Sequence, residues 1–159
     1  MKEITCEQIT EAVRDLCIKV SYDLPQDVES CLKAAQDKEE SPFGKYCLEQ
    51  IVNNAELARD TKQAMCQDTG MAVIYLEVGQ DVHITGGALT DAVNEGVRQG
   101  YKDGYLRKSV AKDPAFSRLN TLDNTPAIIH TEIVPGDELK IMVVPKGAGS
   151  ENMGALKML

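Results

Sequence analysis

The feature that most restricts the fold is the apolar run at residues 71–78, Met-Ala-Val-Ile-Tyr-Leu-Glu-Val, entered through Cys66-Gln67-Asp68-Thr69-Gly70 and left through Gly79-Gln80-Asp81. A run this short and nearly continuous, bounded by turn residues, fits a buried strand. Such a strand needs partners, and the sequence offers three: a short one at 82–84 and longer ones at 127–134 and 138–144. The last two are joined by Pro135-Gly136-Asp137, a hairpin turn signal, so they are expected to pair antiparallel. The pattern leaves open how the 71–78 strand joins them.

Between these strands, Thr85-Gly86-Gly87 leads into an amphipathic helix at 88–102. Leu89, Ala92, Val93, Gly96, Val97, Gly100 and Tyr101 recur at helical spacing, and two glycines on the apolar face imply close packing against another element. The expected core edge consists of Val73, Leu76, Val93, Val97, Ile129, Ile133, Ile141 and Val143. Residues 105–125 are polar and irregular and read as a long loop over a site or interface.

The first sixty residues read as three helices. Thr5 and Gln8 form a capping-box pair, with Ile4 and Ile9 as its hydrophobic staple. Ile9, Val13, Leu16 and Val20 carry the first helix; Val28, Cys31, Leu32 and Ala35 the second; Leu48, Ile51, Val52, Ala55 and Ala58 the third, which opens at Ser41-Pro42. The fold class is therefore α+β: an N-terminal helical group packed on a small mixed or antiparallel sheet, with the 88–102 helix inserted. The 159 residues amount to one domain, helical over 1–62 and α/β over 63–159. Residues 155–159 look like the first turn of a further helix, so the C-terminus reads as a cut in a longer chain.

Composition removes several functions. Seventeen Lys+Arg against 25 Asp+Glu give a net charge of −8, and there is no Lys/Arg block, so nucleic acid is not an expected partner. No apolar run approaches the roughly 20 residues of a membrane helix, and no signal peptide is visible. No membrane association is expected, and the default compartment is the cytoplasm. Five cysteines, an odd number with no C-x-x-C, argue against disulfides and a self-contained zinc site. Cys6, Cys17, Cys31 and Cys47, single residues on amphipathic helices, read as small core residues.

Three stretches could carry chemistry. Cys66-Gln67-Asp68-Thr69-Gly70 sits where a turn presents side chains at a sheet end. A thiolate there can hold a metal, and Asp68 can move a proton or grip a hydroxyl; a plain turn with a buried thiol is the alternative. The loop 145–152, Pro-Lys-Gly-Ala-Gly-Ser-Glu-Asn, follows a strand and can aim backbone N–H groups at an anion. It lacks both the P-loop and the dinucleotide patterns, so an ordinary connection remains open. Arg107, in Tyr105-Leu106-Arg107-Lys108-Ser109, offers a fork for a carboxylate or is a solvated loop residue. His83 and His130 read as structural.

In this order, with Asp123-Asn124-Thr125-Pro126-Ala127 and Lys146-Gly147-Ala148-Gly149-Ser150-Glu151-Asn152-Met153, the stretches resemble the alpha subunit, or N-terminal part, of class I iron–sulfur fumarate hydratase. L-tartrate dehydratase alpha subunits are similar. The resemblance implies a lyase of the tricarboxylic acid cycle that hydrates fumarate reversibly to L-malate. It implies a 4Fe–4S cluster held by three cysteines, with Cys66 matching the first and the other two beyond residue 159. It implies Gln67, Asp68, Arg107 and Gly149 as substrate-binding residues, Asp68 also as the catalytic proton donor or acceptor. It implies an oligomer completed by a beta subunit or C-terminal half, so the chain alone is expected to lack a cluster and activity. Gly154 departs from the family's serine. L-tartrate dehydration and a non-catalytic assembly domain are the competing readings.

Overall fold

The computed structural model describes residues 2–149 and 154–157. The elements run β1 (Lys2–Thr5), α1 (Cys6–Tyr22), α2 (Gln26–Lys38), α3 (Pro42–Thr61), β2 (Met71–Gly79), β3 (Val82–Thr85), α4 (Leu89–Asp103), β4 (Ile128–Val134) and β5 (Leu139–Lys146). The fold is α+β, as the pattern implied. Two compact units divide the chain: residues through Ile18 with those from Gln67 onward, and Lys19–Cys66. Among the described residues no helix is long and apolar enough to cross a membrane.

In the first unit, β2 is the middle of a three-stranded sheet ordered β4-β2-β5, parallel to β4 and antiparallel to β5. The expected 127–144 hairpin is thereby corrected, because β2 lies between its two arms. The Pro135–Asp137 turn is compatible with either arrangement. Four linking residues reach about 13 Å when extended, more than the roughly 9.6 Å across two strand spacings. Gly79 enters the mouth of this turn: its N–H donates to Glu138 O at 2.8 Å, and Asp81 N–H donates to Gly136 O at 2.9 Å. A Cβ on Gly79 would lie 2.5 Å from Gly136 O. The central place suits the most apolar strand, whose Ala72, Ile74 and Leu76 are fully buried.

The 82–84 segment does not join that sheet. β3 pairs in parallel with β1, Lys2 opposite Val82 through Thr5 opposite Thr85. A four-residue strand running straight into a helix cap shows no readable alternation, so its partner was hidden. The capping box itself forms. Gln8 N–H donates to Thr5 Oγ1 at 3.2 Å, and Thr5 N–H donates to Gln8 Oε1 at 3.0 Å.

Ile9, Val13 and Cys17 of α1 join Val93, Val97 and Tyr101 of α4 in the core with β2. The helices touch through the glycines. A Cβ on Gly96 would fall 2.7 Å from both Thr10 O and Val13 Cβ, and one on Gly100 would fall 2.8 Å from Cys17 Cβ. Thr10 Oγ1 donates to Ala92 O at 3.0 Å across the same contact. Of the expected core, Val73, Leu76, Val93, Val97 and Val143 are buried, and Ile129 and Ile141 are half-buried. Ile133 is a correction: it stands 73% exposed near the end of edge strand β4. Cys17 is buried and Cys6 and Cys47 are half-buried, but Cys31 is exposed and is no core residue. Tyr75 and His130, side by side on the outer sheet face, stack with centroids 4.9 Å apart.

The loop after α4 is ordered by its own polar groups. Asp113 accepts from the Phe116 and Ser117 N–H groups, both at 3.1 Å, and Ala111 bridges Asn120. Asp123 anchors its far end. Its carboxylate accepts from Thr125 N–H (3.0 Å), Thr125 Oγ1 (2.9 Å) and Arg98 Nε of α4 (3.1 Å). Burial alone would raise the Asp123 carboxyl. The bonds from Thr125 and Arg98 outweigh burial and bring it down to about 2. Residues 154–157 lack regular structure, so the helix turn expected at 155–159 does not form over 155–157, and the rest of it lies outside the described residues.

In the Lys19–Cys66 unit, Ser41 caps α3 with Pro42 in its first turn, and Lys62 closes it in the left-handed conformation. Arg59 bridges Asp23 and Glu29, while Lys33 bridges Glu29 and Glu56, joining α2 to α3. Met65 N–H donates to Ser21 O at 2.9 Å and Met65 O accepts from Asn54 Nδ2 at 3.0 Å, which fixes the residue before Cys66.

Two predictions follow from this packing. Gly96→Ala is expected to destabilise the chain by roughly 1–3 kcal/mol through overpacking, although alanine is the better helix former; an unchanged urea midpoint would contradict the contact. Asp123 favours folding above its unfolded value, and that contribution disappears as pH falls through about 4 to 2. Asp123→Asn should therefore cost about 1 kcal/mol at neutral pH, after allowance for solvent screening. The same variant should flatten the acid limb of the stability profile in that window, measured by urea titration at each pH.

Candidate active site

The site is built where the chain turns into β2. Gly70 adopts φ +63°, and a Cβ there would lie 2.3 Å from Lys146 O and 2.7 Å from Gly147 N. Only glycine allows the turn to press so closely on the end of β5. The neighbouring peptide is held by buried donors. Tyr101 Oη, on α4, donates toward Thr69 O at 2.9 Å and Gly70 O at 3.3 Å. Asn124 Nδ2 donates to Gly70 O at 3.1 Å. Burial, above all, pushes the Tyr101 phenol up, so it remains a proton donor throughout the physiological range.

This turn brings Asp68 to the glycine loop. Asp68 Oδ2 accepts from Ala148 N–H at 3.2 Å, and Oδ1 accepts from Gly70 N–H at 3.2 Å. The Ala148 bond is foremost in holding the Asp68 carboxyl below its ordinary range. The Gly149 and Gly70 N–H groups and the positive charge of Arg107 add to it against some desolvation. Asp68 is a carboxylate at neutral pH, oriented by backbone N–H groups that also make it a weaker base than an ordinary aspartate. The loop read from sequence as a possible anion cradle holds this chain's own carboxylate through Ala148. The stretch 150–152 of that loop lies outside the described residues.

Arg107 arrives from the segment after α4. Thr69 Oγ1 donates to Arg107 O at 3.1 Å, which ties its backbone to the Asp68 turn and leaves the guanidinium exposed. Gln67 and Gly149 are exposed, and a Cβ on Gly149 would meet nothing within 4 Å. Asp68, Arg107 and the Ala148–Gly149 backbone thus come together from three separate segments. Cys66, the last residue of the Lys19–Cys66 unit, is exposed rather than a buried thiol and precedes Asp68 by two residues. His83 and His130 are not among the residues gathered around Asp68.

The holders of this turn, Thr69, Tyr101 and Asn124, were not singled out by the sequence reading. Tyr101 was legible only as one member of an apolar stripe, and Asn124 only as part of a quoted motif. Their readable signal was polar capacity at positions that turn out to be buried, at 7%, 2% and 0% exposure.

A donor set for a metal cluster is incomplete. An exposed thiol at Cys66 fits one corner of an iron–sulfur cluster. Among the described residues, no three His, Cys, Asp or Glu side chains come together as a metal site. The buried Cys17 thiol is pushed up to about 12 by desolvation, the opposite of what a thiolate ligand needs.

The family model for fumarate hydratase (Fumerase) matches residues 10–159. A Methanocaldococcus jannaschii protein, provisionally named as an L(+)-tartrate dehydratase subunit alpha, is 33% identical over 156 residues, 96% of this chain and 55% of its own. The aerobic class I fumarate hydratase of Escherichia coli K12 is 34% identical over 152 residues, 94% of this chain and 28% of its own. An L(+)-tartrate dehydratase subunit alpha of E. coli UTI89 is 29% identical over 162 residues, 99% of this chain and 52% of its own. The chain spans about half the length of the two tartrate dehydratase subunits it matches and less of the fumarate hydratase. With all but its first nine residues inside the family model, the chain belongs to the fumarate hydratase family.

Proposed function

We propose that this chain carries part of the active site of a 4Fe–4S-dependent hydro-lyase that hydrates fumarate reversibly to L-malate. The observation that carries the reading is a family member's Asp68 carboxylate, pinned by backbone N–H groups and lying within the field of Arg107. In the hydration direction the ionised Asp68 accepts a proton from the water whose oxygen bonds to one alkene carbon. The π electron pair moves to the other carbon, which takes a proton from a second acid in the complete enzyme. In the reverse direction that second group removes the C–H proton, the electron pair re-forms the double bond, and Asp68 returns its proton to the departing hydroxyl, which leaves as water. Arg107 presents five donors in a planar fork and grips a substrate carboxylate, which orients the double bond against Asp68. Gln67 and the Gly149 backbone supply further polar contacts to substrate oxygens.

Cys66 would hold one corner of the cluster, and its remaining ligands lie outside this chain. When bound, such a cluster supplies a Lewis-acidic iron that draws charge from the substrate hydroxyl. The complete enzyme then needs the rest of the subunit and a beta subunit or C-terminal half, in an oligomeric cytoplasmic assembly, and this chain alone is inactive. A second reading, dehydration of L(+)-tartrate, is favoured by the printed names of two relatives that match nearly all of this chain. The two readings share Asp68 and Arg107 and differ in one substrate hydroxyl.

The test uses the complete enzyme carrying this chain, prepared without oxygen and assayed with fumarate and tartrate side by side. Cys66→Ser should remove both iron and turnover; a variant that keeps its iron and its activity would overturn the ligand assignment. Arg107→Ala should lower kcat/KM by about ten- to a hundredfold, the roughly 1.5–3 kcal/mol of hydrogen bonds to a charged group. An unchanged kcat/KM would remove Arg107 from the site.

A further inference from the structure

Asn124 has no exposed surface, sits in the left-handed conformation at φ +62°, and spends both ends of its side chain on site segments. Its Nδ2 donates to Gly70 O at 3.1 Å, and its Oδ1 accepts from Ser109 N–H at 2.7 Å. One side therefore grips the turn that presents Asp68, and the other grips the strip that presents Arg107. Thr69 Oγ1, bonded to Arg107 O, makes a second tie between the same two segments. We infer that Asn124 is a positioning residue: its buried amide holds the turn that carries Asp68 to the strip that carries Arg107, and so sets the spacing between the group that meets the substrate hydroxyl and the group that grips a carboxylate.

Chemistry narrows the choice of residue. The position needs one donor and one acceptor, side by side, on a short side chain that tolerates positive φ. Asparagine meets all three demands. Aspartate keeps the acceptor but turns the donor into an oxygen facing the Gly70 carbonyl. Glycine keeps the backbone conformation and loses both bonds. Asn124 is also held in place from its neighbour, since Asp123 is anchored to α4 through Arg98. The lever between helix and site is thus one residue long.

The inference rests on the reading of Asp68 and Arg107 as substrate groups, and two measurements separate the fates of the two ideas. The first is amide hydrogen exchange in the complete enzyme carrying this chain, which needs no substrate. Asn124→Gly should speed exchange at Ser109, its direct partner, and at Ala148, which it does not touch, by tenfold or more. Exchange at Ile74 and Leu76 in β2 should stay within twofold. A uniform rise across β2, or an unchanged Ala148, would reduce Asn124 to a structural residue and overturn the inference.

The second measurement is steady-state kinetics in the complete enzyme. Displacing both substrate groups should raise KM and lower kcat together, with kcat/KM down about a hundredfold, as small misplacements cost. Asn124→Asp, which keeps an acceptor for Ser109 N–H but sets an oxygen against the Gly70 carbonyl, should not recover that loss. A merely structural defect would shrink the active fraction and leave KM unchanged, which would count against the inference. Thr69→Val, which keeps the shape and removes the tie to Arg107 O, should raise KM in the same way, and it carries the test if Asn124→Gly does not fold. If Ala148 exchange changes as stated while Arg107→Ala leaves kcat/KM intact, the functional reading fails and the positioning role toward Asp68 survives.

Discussion

A side chain on Gly70 would collide with the Lys146 carbonyl, and the site is organised around that lack of room. The turn before β2 presses on the end of β5, and the peptide it exposes is met by two buried donors, the Tyr101 hydroxyl and the Asn124 amide. Each donor comes from a different part of the first unit: α4 and the end of the long loop. The contact between turn and β5 also brings Ala148 N–H to the Asp68 carboxylate. Loosening it would cost the buried carbonyls their donors and the carboxylate its cage at once.

Chemistry depends on this because the site's charged groups are themselves exposed or half-exposed. An aspartate on a mobile turn would titrate near its ordinary value and point in many directions. Here backbone N–H groups hold it oriented before any substrate arrives, the kind of preorganisation that lowers the reorganisation cost of a reaction. The helix pair beneath, locked glycine to side chain at Gly96 and Gly100, gives that arrangement a rigid base. The chain's net charge of −8 does not by itself prevent anion binding, since a local positive charge such as Arg107 acts at short range.

Much of this was legible in the residues. The capping box at Thr5 and Gln8, the Ser41-Pro42 helix start, the strand at 71–78 and the glycine face of α4 follow from local rules that the structure obeys. The pairing did not follow. Pro135-Gly136-Asp137 marks a reversal of direction but not how many strand widths it crosses, and Lys2–Thr5 is too short to show a period. Ile133 looked like core because it alternates correctly, yet an edge strand leaves its end open. In the site, Asp68 and Arg107 could be named from a resemblance, and Cys66 can be placed by sequence adjacency. The holders Thr69, Tyr101 and Asn124 act through burial and partners distant in sequence, and no local pattern encodes those.

The most direct measurement is an experimental structure of the complete enzyme with L-malate bound. The account predicts one malate carboxylate on the Arg107 guanidinium and the malate hydroxyl within hydrogen-bond reach of Asp68, with the Gly70–Lys146 contact intact. Malate seated with neither Arg107 nor Asp68 in contact would contradict it.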